Sequence, residues 1–122
     1  MTVKQGAGET GNMESDARTL AAKMYAGINI GNTLEACDNK NKIAGETLWG
    51  NPKVSEAYVK GLKALGFNAV RIPCAWDYYI VNPSTYEIDA VWLDRVSEVV
   101  GYCVANDMYA IVNIHWDGGW LE

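Results

Sequence analysis

The sequence predicts an α/β fold built on parallel strands, and three observations carry that reading. Three short runs, Gly27-Ile-Asn-Ile30, Asn68-Ala-Val-Arg-Ile72 and Tyr109-Ala-Ile-Val-Asn-Ile114, are apolar on both faces, as strands are when helices cover them on either side. Each run switches abruptly to polar and aromatic residues, which is how a parallel strand presents a site at its C-terminal edge. Between them lie stretches of helical periodicity, so the order is helix, then β-α-β-α-β. Right-handed crossovers turn that order into a parallel sheet.

Taken in order, residues 1 to 13 are rich in Gly, Thr and Gln without periodicity and are expected to form a flexible leader. From Glu14 to Met24 the apolar positions Ala17, Leu20, Ala21 and Met24 recur at helical spacing, with Asn12 or Ser15 available as a cap. The strand from Gly27 is followed by a long polar loop holding Asp38-Asn-Lys-Asn-Lys42 and Glu46-Thr-Leu-Trp-Gly-Asn-Pro52, and long loops after strands are often functional. The next helix opens at Asn51-Pro52 or Ser55 and closes at Gly66, with Val54, Tyr58, Leu62 and Leu65 along one face. After the strand Asn68 to Ile72, a loop from Asp77 to Glu87 leads to a helix over about Asp89 to Ala105, striped by Leu93, Val96, Val100 and Cys103. The strand from Tyr109 delivers the only histidine, His115, into a loop of tryptophans, an acid and glycines.

Composition excludes several classes of partner. The 122 residues suit one small domain, with 49% hydrophobic and 20% charged residues, as in an ordinary globular chain. The formal charge is −5 and Lys and Arg are scattered, which argues against a nucleic-acid backbone or an anionic membrane and leaves a neutral substrate open. No apolar run approaches the roughly 18 residues of a membrane span, and Met1-Thr-Val-Lys-Gln5 has no apolar signal core behind it. Cys37, Cys74 and Cys103 form neither a C-x-x-C pair nor a zinc pattern with His115, and read as free thiols packed as small hydrophobes. No metal or organic cofactor is implied.

Two architectures remain at this level. A closed eight-stranded α/β barrel needs roughly 250 residues, of which half or more would lie outside this sequence. A doubly wound sheet is the alternative, but no G-x-G-x-x-G turn follows any strand, and Gly27-Ile-Asn-Ile-Gly31 has the wrong spacing.

Four segments resemble glycoside hydrolase family 5, especially bacterial endo-β-1,4-glucanases: Gly27-Ile-Asn-Ile-Gly-Asn-Thr-Leu-Glu-Ala36, Glu46-Thr-Leu-Trp-Gly-Asn-Pro52, Gly66-Phe-Asn-Ala-Val-Arg-Ile-Pro73 and Asn113-Ile-His-Trp-Asp117. They occur in the family's order, at strand ends inferred independently, and the resemblance covers residues 14 to 122. It implies the N-terminal part, about three β/α units, of a TIM (β/α)8 barrel, truncated after its third strand. It further implies a secreted or periplasmic enzyme that cleaves β-1,4-glucans (cellulose, mixed-linkage glucan or xyloglucan) by double displacement. In the family one glutamate after strand four is the acid/base, in an Asn-Glu dipeptide, and another after strand seven is the nucleophile. No Asn-Glu dipeptide occurs here, and retaining chemistry needs two carboxyl groups about 5 to 5.5 Å apart, so the 122 residues alone are expected to be inactive and to work with the remainder of the barrel. A non-catalytic carbohydrate-binding domain is the alternative. An aldolase or isomerase barrel would instead call for a catalytic lysine or phosphate loop at a strand end, and neither is found.

The resemblance also assigns roles. Arg71 corresponds to an arginine that steadies the nucleophilic glutamate, and a guanidinium inside an apolar strand must in any case meet strong acceptors. His115 corresponds to a histidine that hydrogen-bonds sugar hydroxyls near the point of cleavage. Asn32 and Glu35 correspond to residues that grip a sugar on the non-reducing side, an amide and a carboxylate together matching a hydroxyl that both donates and accepts. The alternative for that pair is capping of the strand-to-loop turn. Where the family commonly has a second histidine this chain has Trp116, which favours stacking over hydrogen bonding. Trp49, Trp120 and Trp76 are further candidates for sugar platforms, since a pyranose offers an apolar C–H face to an aromatic ring, with core or loop packing as the alternative for each.

Overall fold

Residues 16–116 are described by the computed structural model of the chain. The leader expected at residues 1 to 13 lies outside them. Helix α1 (Ala17–Lys23) is capped by Asp16, whose side chain accepts the Thr19 N–H at 2.8 Å, not by Asn12 or Ser15, and its apolar stripe buries no residue. Strand β1 (Gly27–Asn29) follows, and the long polar loop contains a hairpin that its sequence does not announce, β2 (Cys37–Asp38) and β3 (Ile43–Ala44).

Helix α2 (Glu56–Ala64) starts at Ser55, whose hydroxyl accepts the Tyr58 N–H at 3.2 Å, and it ends where Gly66 takes φ +97°, a conformation that only glycine adopts without strain. Its buried residues are Val59 and Leu62, while Tyr58 and Leu65 face solvent, so the expected face is rotated by about one position. Strand β4 (Ala69–Ala75) runs three residues beyond its expected end. The following loop holds a 3-10 turn (Asp77–Tyr79) and a second hairpin, β5 (Ile80–Asn82) with β6 (Glu87–Ile88). Helix α3 (Ala90–Ala105), capped by Asp89, buries Trp92, Val96, Val99 and Cys103. The expected stripe through Leu93 and Val100 again shifts by one residue. Trp92 decides this, because its indole donates to the Ala75 carbonyl at 3.0 Å and its ring stacks on Tyr79 at 3.9 Å between centroids. Strand β7 (Tyr109–Trp116) completes the order.

The sheet is β1-β4-β7 and every pairing is parallel. Val70, Ile72 and Cys74 point from β4 into a core with Ile30, Leu34, Val59, Leu62, Val96, Val99 and Cys103 from the flanking elements. Cys74 and Cys103 are fully buried, and burial pushes their thiols up to about 12 and about 11, so both stay protonated and pack as apolar groups. The other face of β4 carries Ala69, Arg71, Pro73 and Ala75. Asn68 stitches the entry to the sheet: its Oδ1 accepts the Tyr25 and Ala26 N–H groups at 3.1 and 3.2 Å, and its Nδ2 donates to the Lys23 carbonyl at 2.7 Å.

Candidate functional site

Register places the chemistry. Asn29, Arg71 and Ile111 are aligned across the three strands, on the face opposite the helices, and alternation along β7 puts Asn113 and His115 on that face. At the end of β7 the pairing slips. Cys74 pairs with Ile114 and Ala75 with Trp116, which leaves His115 as the extra residue of a bulge. A bulge bends the strand and re-aims the side chain it carries, and bulges concentrate beside active sites. Apolar periodicity gives no warning of it.

Arg71 reaches along the sheet to this residue, with Nη2 3.3 Å from His115 Nδ1. Arginine has no acceptor, so the contact is a hydrogen bond only when Nδ1 is unprotonated, which leaves Nε2 carrying the ring proton and turned away from Arg71. Among the described residues no carboxylate lies within ion-pair distance of Arg71. It also borders a small recess of about 160 Å³ with Asn29 and Ile111.

A cleft of about 610 Å³ is lined by His115, by Cys37, Asp38, Asn39 and Lys40 of the β2–β3 hairpin, and by Leu48 and Trp49. Trp49 is 49% exposed yet fixed, because its indole N–H donates to the Cys37 carbonyl at 2.9 Å. Asp38 braces the hairpin turn by accepting the Asn41 side-chain amide at 2.6 Å and the Lys40 and Asn41 backbone N–H groups at 2.9 and 3.2 Å, and these contacts, led by that with the Asn41 side chain, lower its pKa. Burial, then the nearby Asp38 and Glu35 charges, raise the Cys37 thiol, so it faces the cleft as a neutral group. Among the described residues no group of His, Cys, Asp or Glu converges as a metal site would require.

Of the residues expected from sequence, the fold brings Trp49 and His115 to one cleft and joins Arg71 to them through His115. Asn32 and Glu35 sit just before the hairpin and do not line the cleft. Glu35 is 3% exposed, and its carboxylate accepts the N–H groups of Asn32 at 2.5 Å and Thr33 at 2.9 Å, the capping alternative. Asn32 takes φ +62°, which asparagine tolerates, and is exposed. Trp76 is partly buried and packs against the core, with no acceptor for its indole N–H among the described residues. Trp120 lies outside the described residues, as does the side chain of Trp116.

Sequence reasoning missed two contributions. The hairpin residues Asn39 and Lys40 form a wall of the cleft, although the polar loop announces only their exposure. Glu46 and Arg95, 49 residues apart, make a partly buried ion pair at 2.8 Å. A signal existed for Arg95, a charge that stands among Trp92, Val96 and Val99 on the buried side of α3; nothing marks Glu46 as its partner.

Residues 31–122 match the cellulase family, glycosyl hydrolase family 5. The chain is 42% identical to the xyloglucan-specific endo-β-1,4-glucanase of Bacteroides ovatus over 116 residues, covering 93% of this chain and 23% of that protein. It is 40% identical to endoglucanase B of Clostridium cellulovorans over 114 residues, covering 93% and 24%. The structure superposes on a broad-specificity endoglucanase of Ruminococcus champanellensis solved with bound cellotriose, with a TM-score of 0.83, 38% identity, and coverage of 88% of this chain and 32% of that one. The chain thus spans about a quarter of the length of these curated relatives. With its sequence and its parallel β/α units both matching, the chain belongs to glycosyl hydrolase family 5 and forms part of that family's TIM barrel.

Proposed function

We propose that the chain supplies one side of the glucan cleft of a retaining endo-β-1,4-glucanase whose two catalytic glutamates come from the rest of the barrel. The observation that carries this is the Arg71–His115 contact at 3.3 Å, held at a β-bulge on the strand-end face beside the half-exposed Trp49. Arg71 steadies the nucleophilic carboxylate by charge-assisted hydrogen bonds, which keeps it ionised for attack on the anomeric carbon. His115, its Nδ1 occupied by Arg71, donates from Nε2 to a sugar hydroxyl near the point of cleavage. Trp49, and Trp116 and Trp120 beyond the described side chains, offer ring faces to pyranose C–H groups. Asn32, exposed but outside the lining of the described cleft, is assigned to a sugar on the non-reducing side, and Glu35 sets its position by holding the Asn32 and Thr33 N–H groups.

The substrate is a β-1,4-glucan chain, cellulose, mixed-linkage glucan or xyloglucan, and no metal or organic cofactor takes part. A polymer of this kind does not cross a membrane, which places the enzyme outside the cell or in the periplasm. No helix among the described residues is long and apolar enough to span a membrane.

The test is hydrolysis of soluble β-1,4-glucan by the chain within a complete barrel, with Arg71→Ala and His115→Ala compared. Arg71→Ala is expected to lower kcat by at least about 100-fold, the scale of losing one preorganised charge contact in a closed site. A smaller loss is expected for His115→Ala. Unchanged kinetics in both variants would reject the site, and binding without hydrolysis by the complete barrel would favour a carbohydrate-binding module instead.

A further inference from the structure

The segment that joins β3 to α2 is tied shut by groups that take no part in the proposed reaction. Glu46 stands at its start and Val54 at its end, and Arg95 of α3 grips both. Its Nε donates to Glu46 Oε2 at 2.9 Å, and its Nη2 donates to Glu46 Oε1 at 2.8 Å and to the Val54 carbonyl at 2.7 Å. Glu46 Oε1 also accepts the Val54 N–H at 2.7 Å. The Glu46 and Arg95 side chains are 5% and 17% exposed. The free arm of the guanidinium goes to Glu98 at 2.6 Å, whose second oxygen accepts the Tyr102 hydroxyl at 2.6 Å.

The enclosed segment is a pair of turns, with Leu48 N–H bonded to the Gly45 carbonyl at 2.9 Å and Gly50 N–H to the Thr47 carbonyl at 3.0 Å, and with Gly50 at φ +90°. Trp49 rides on it. Asn51 adds a side tether, donating to the Asn32 carbonyl at 3.0 Å. The cleft wall is therefore referred to a helix on the far side of the sheet, through one fork-on-fork contact that fixes orientation as well as distance.

We propose that the Glu46–Arg95 pair is the positioning latch of the Trp49 wall, setting how tightly the cleft holds the sugar that lies against that ring and leaving the bond-breaking step untouched. The inference rests on the glucan-cleft reading above for its substrate, and on the loop geometry alone for its mechanics. With the latch closed, the ring waits in its bound orientation. With it open, each binding event must order the loop again, a penalty on ground state and transition state alike.

Two measurements on the chain within a complete barrel decide it. In steady-state kinetics on a cello-oligosaccharide, Arg95→Met is expected to raise KM about tenfold, the factor carried by one contact of ordinary strength, with kcat within about twofold. The same substitution added to Trp49→Ala is expected to change KM no further, because the latch then has no ring to place. A full additional factor in the double variant, or a fall in kcat without a rise in KM, overturns the proposal.

The second measurement uses no substrate. In protein labelled with 5-fluorotryptophan, the Trp49 resonance, assigned by its loss in Trp49→Phe, should be single in the parent and in Arg95→Lys and split or broadened in Arg95→Met. Glu46→Gln, which keeps the shape and one acceptor oxygen, serves as the milder variant should Arg95→Met fail to fold, with an intermediate change expected. An unaltered Trp49 resonance in a folded variant overturns the latch. If the complete barrel leaves β-1,4-glucan uncut, the substrate reading fails while the fluorine spectrum still decides the latch.

Discussion

Strands β4 and β7 are neighbours, in register and similar in composition, yet they differ in cover. Val70, Ile72 and Cys74 on β4 are each 0% exposed, whereas Val112 and Ile114, the β7 partners of Ile72 and Cys74, are 39% and 49% exposed. β4 has a strand on each side and lies against the core that α2 and α3 help to form; β7 has one neighbouring strand among the described residues. An apolar strand therefore reports the number of layers its sequence is made for, which in a barrel includes strands and helices contributed by other units. β7 reads as a central strand and stands as an edge. A long apolar edge is a pairing surface that proteins normally cover, and the rest of the family's barrel is the cover this one is built for.

The largest test of that contrast is a pair of truncations. Ile72→Ala should cost about 2–5 kcal/mol by urea denaturation, and Ile114→Ala in the 122-residue chain less than about 1 kcal/mol, since little cover is lost there. In a complete barrel the second value should rise towards the first, and equal costs in the short chain would dissolve the comparison.

Of similar size is the effect of the pin that fastens the loop over α3. Arg95→Met leaves Glu46 buried without its counter-charge, and a loss of about 3–5 kcal/mol is expected in the free energy of unfolding, with β4 amides losing exchange protection more than β7 amides.

The same pin gives the fold an acid limit. Burial pulls the Glu46 carboxyl upward, but the Arg95 guanidinium and the Val54 N–H more than offset this and hold it below its ordinary value. A carboxyl lowered on folding stabilises fully above its unfolded pKa, about 4.3, and that contribution disappears as pH falls through the folded value. Stability should accordingly fall below about pH 4, and Glu46→Gln should flatten that part of the profile while lowering the plateau.

The smallest expected effect is at the cap of α2. Ser55→Ala should cost about 1 kcal/mol, and should loosen the helix cover of β4 while leaving the exposed residues of β7 as they are.

How much of this was legible in the sequence follows from the size of each signal. The three sheet strands and the two crossover helices were readable because long apolar runs and helical spacing repeat over enough residues to be counted. The hairpins β2–β3 and β5–β6 were not, since strands of two or three residues hold no period and their turns rest on local geometry at Lys42 and Tyr86, both with positive φ. Helix faces came out one residue off in α2 and α3, because neighbouring stripes are equally helical and only the contacts of Trp92 and Val59 choose between them. Trp49 and His115, which line the cleft, and Arg71, which contacts His115, all lie within the motifs that carry the family resemblance. The bulge that aims His115 and the Glu46–Arg95 pair leave no local signal, one being a slip of register and the other a partnership across 49 residues of sequence.

The Asn68 stitch bears on the order in which this chain can assemble. Its amide closes the Lys23 to Ala26 entry from 42 to 45 positions downstream. A chain emerging from the ribosome at roughly 5–20 residues per second therefore makes β1 seconds before the residue that secures it exists. Until β4 follows, the first strand has neither sheet partner nor tether, so the earliest durable intermediate in synthesis is expected to be the β1-α2-β4 unit as a whole, with α1 joining only through its attachment to that unit.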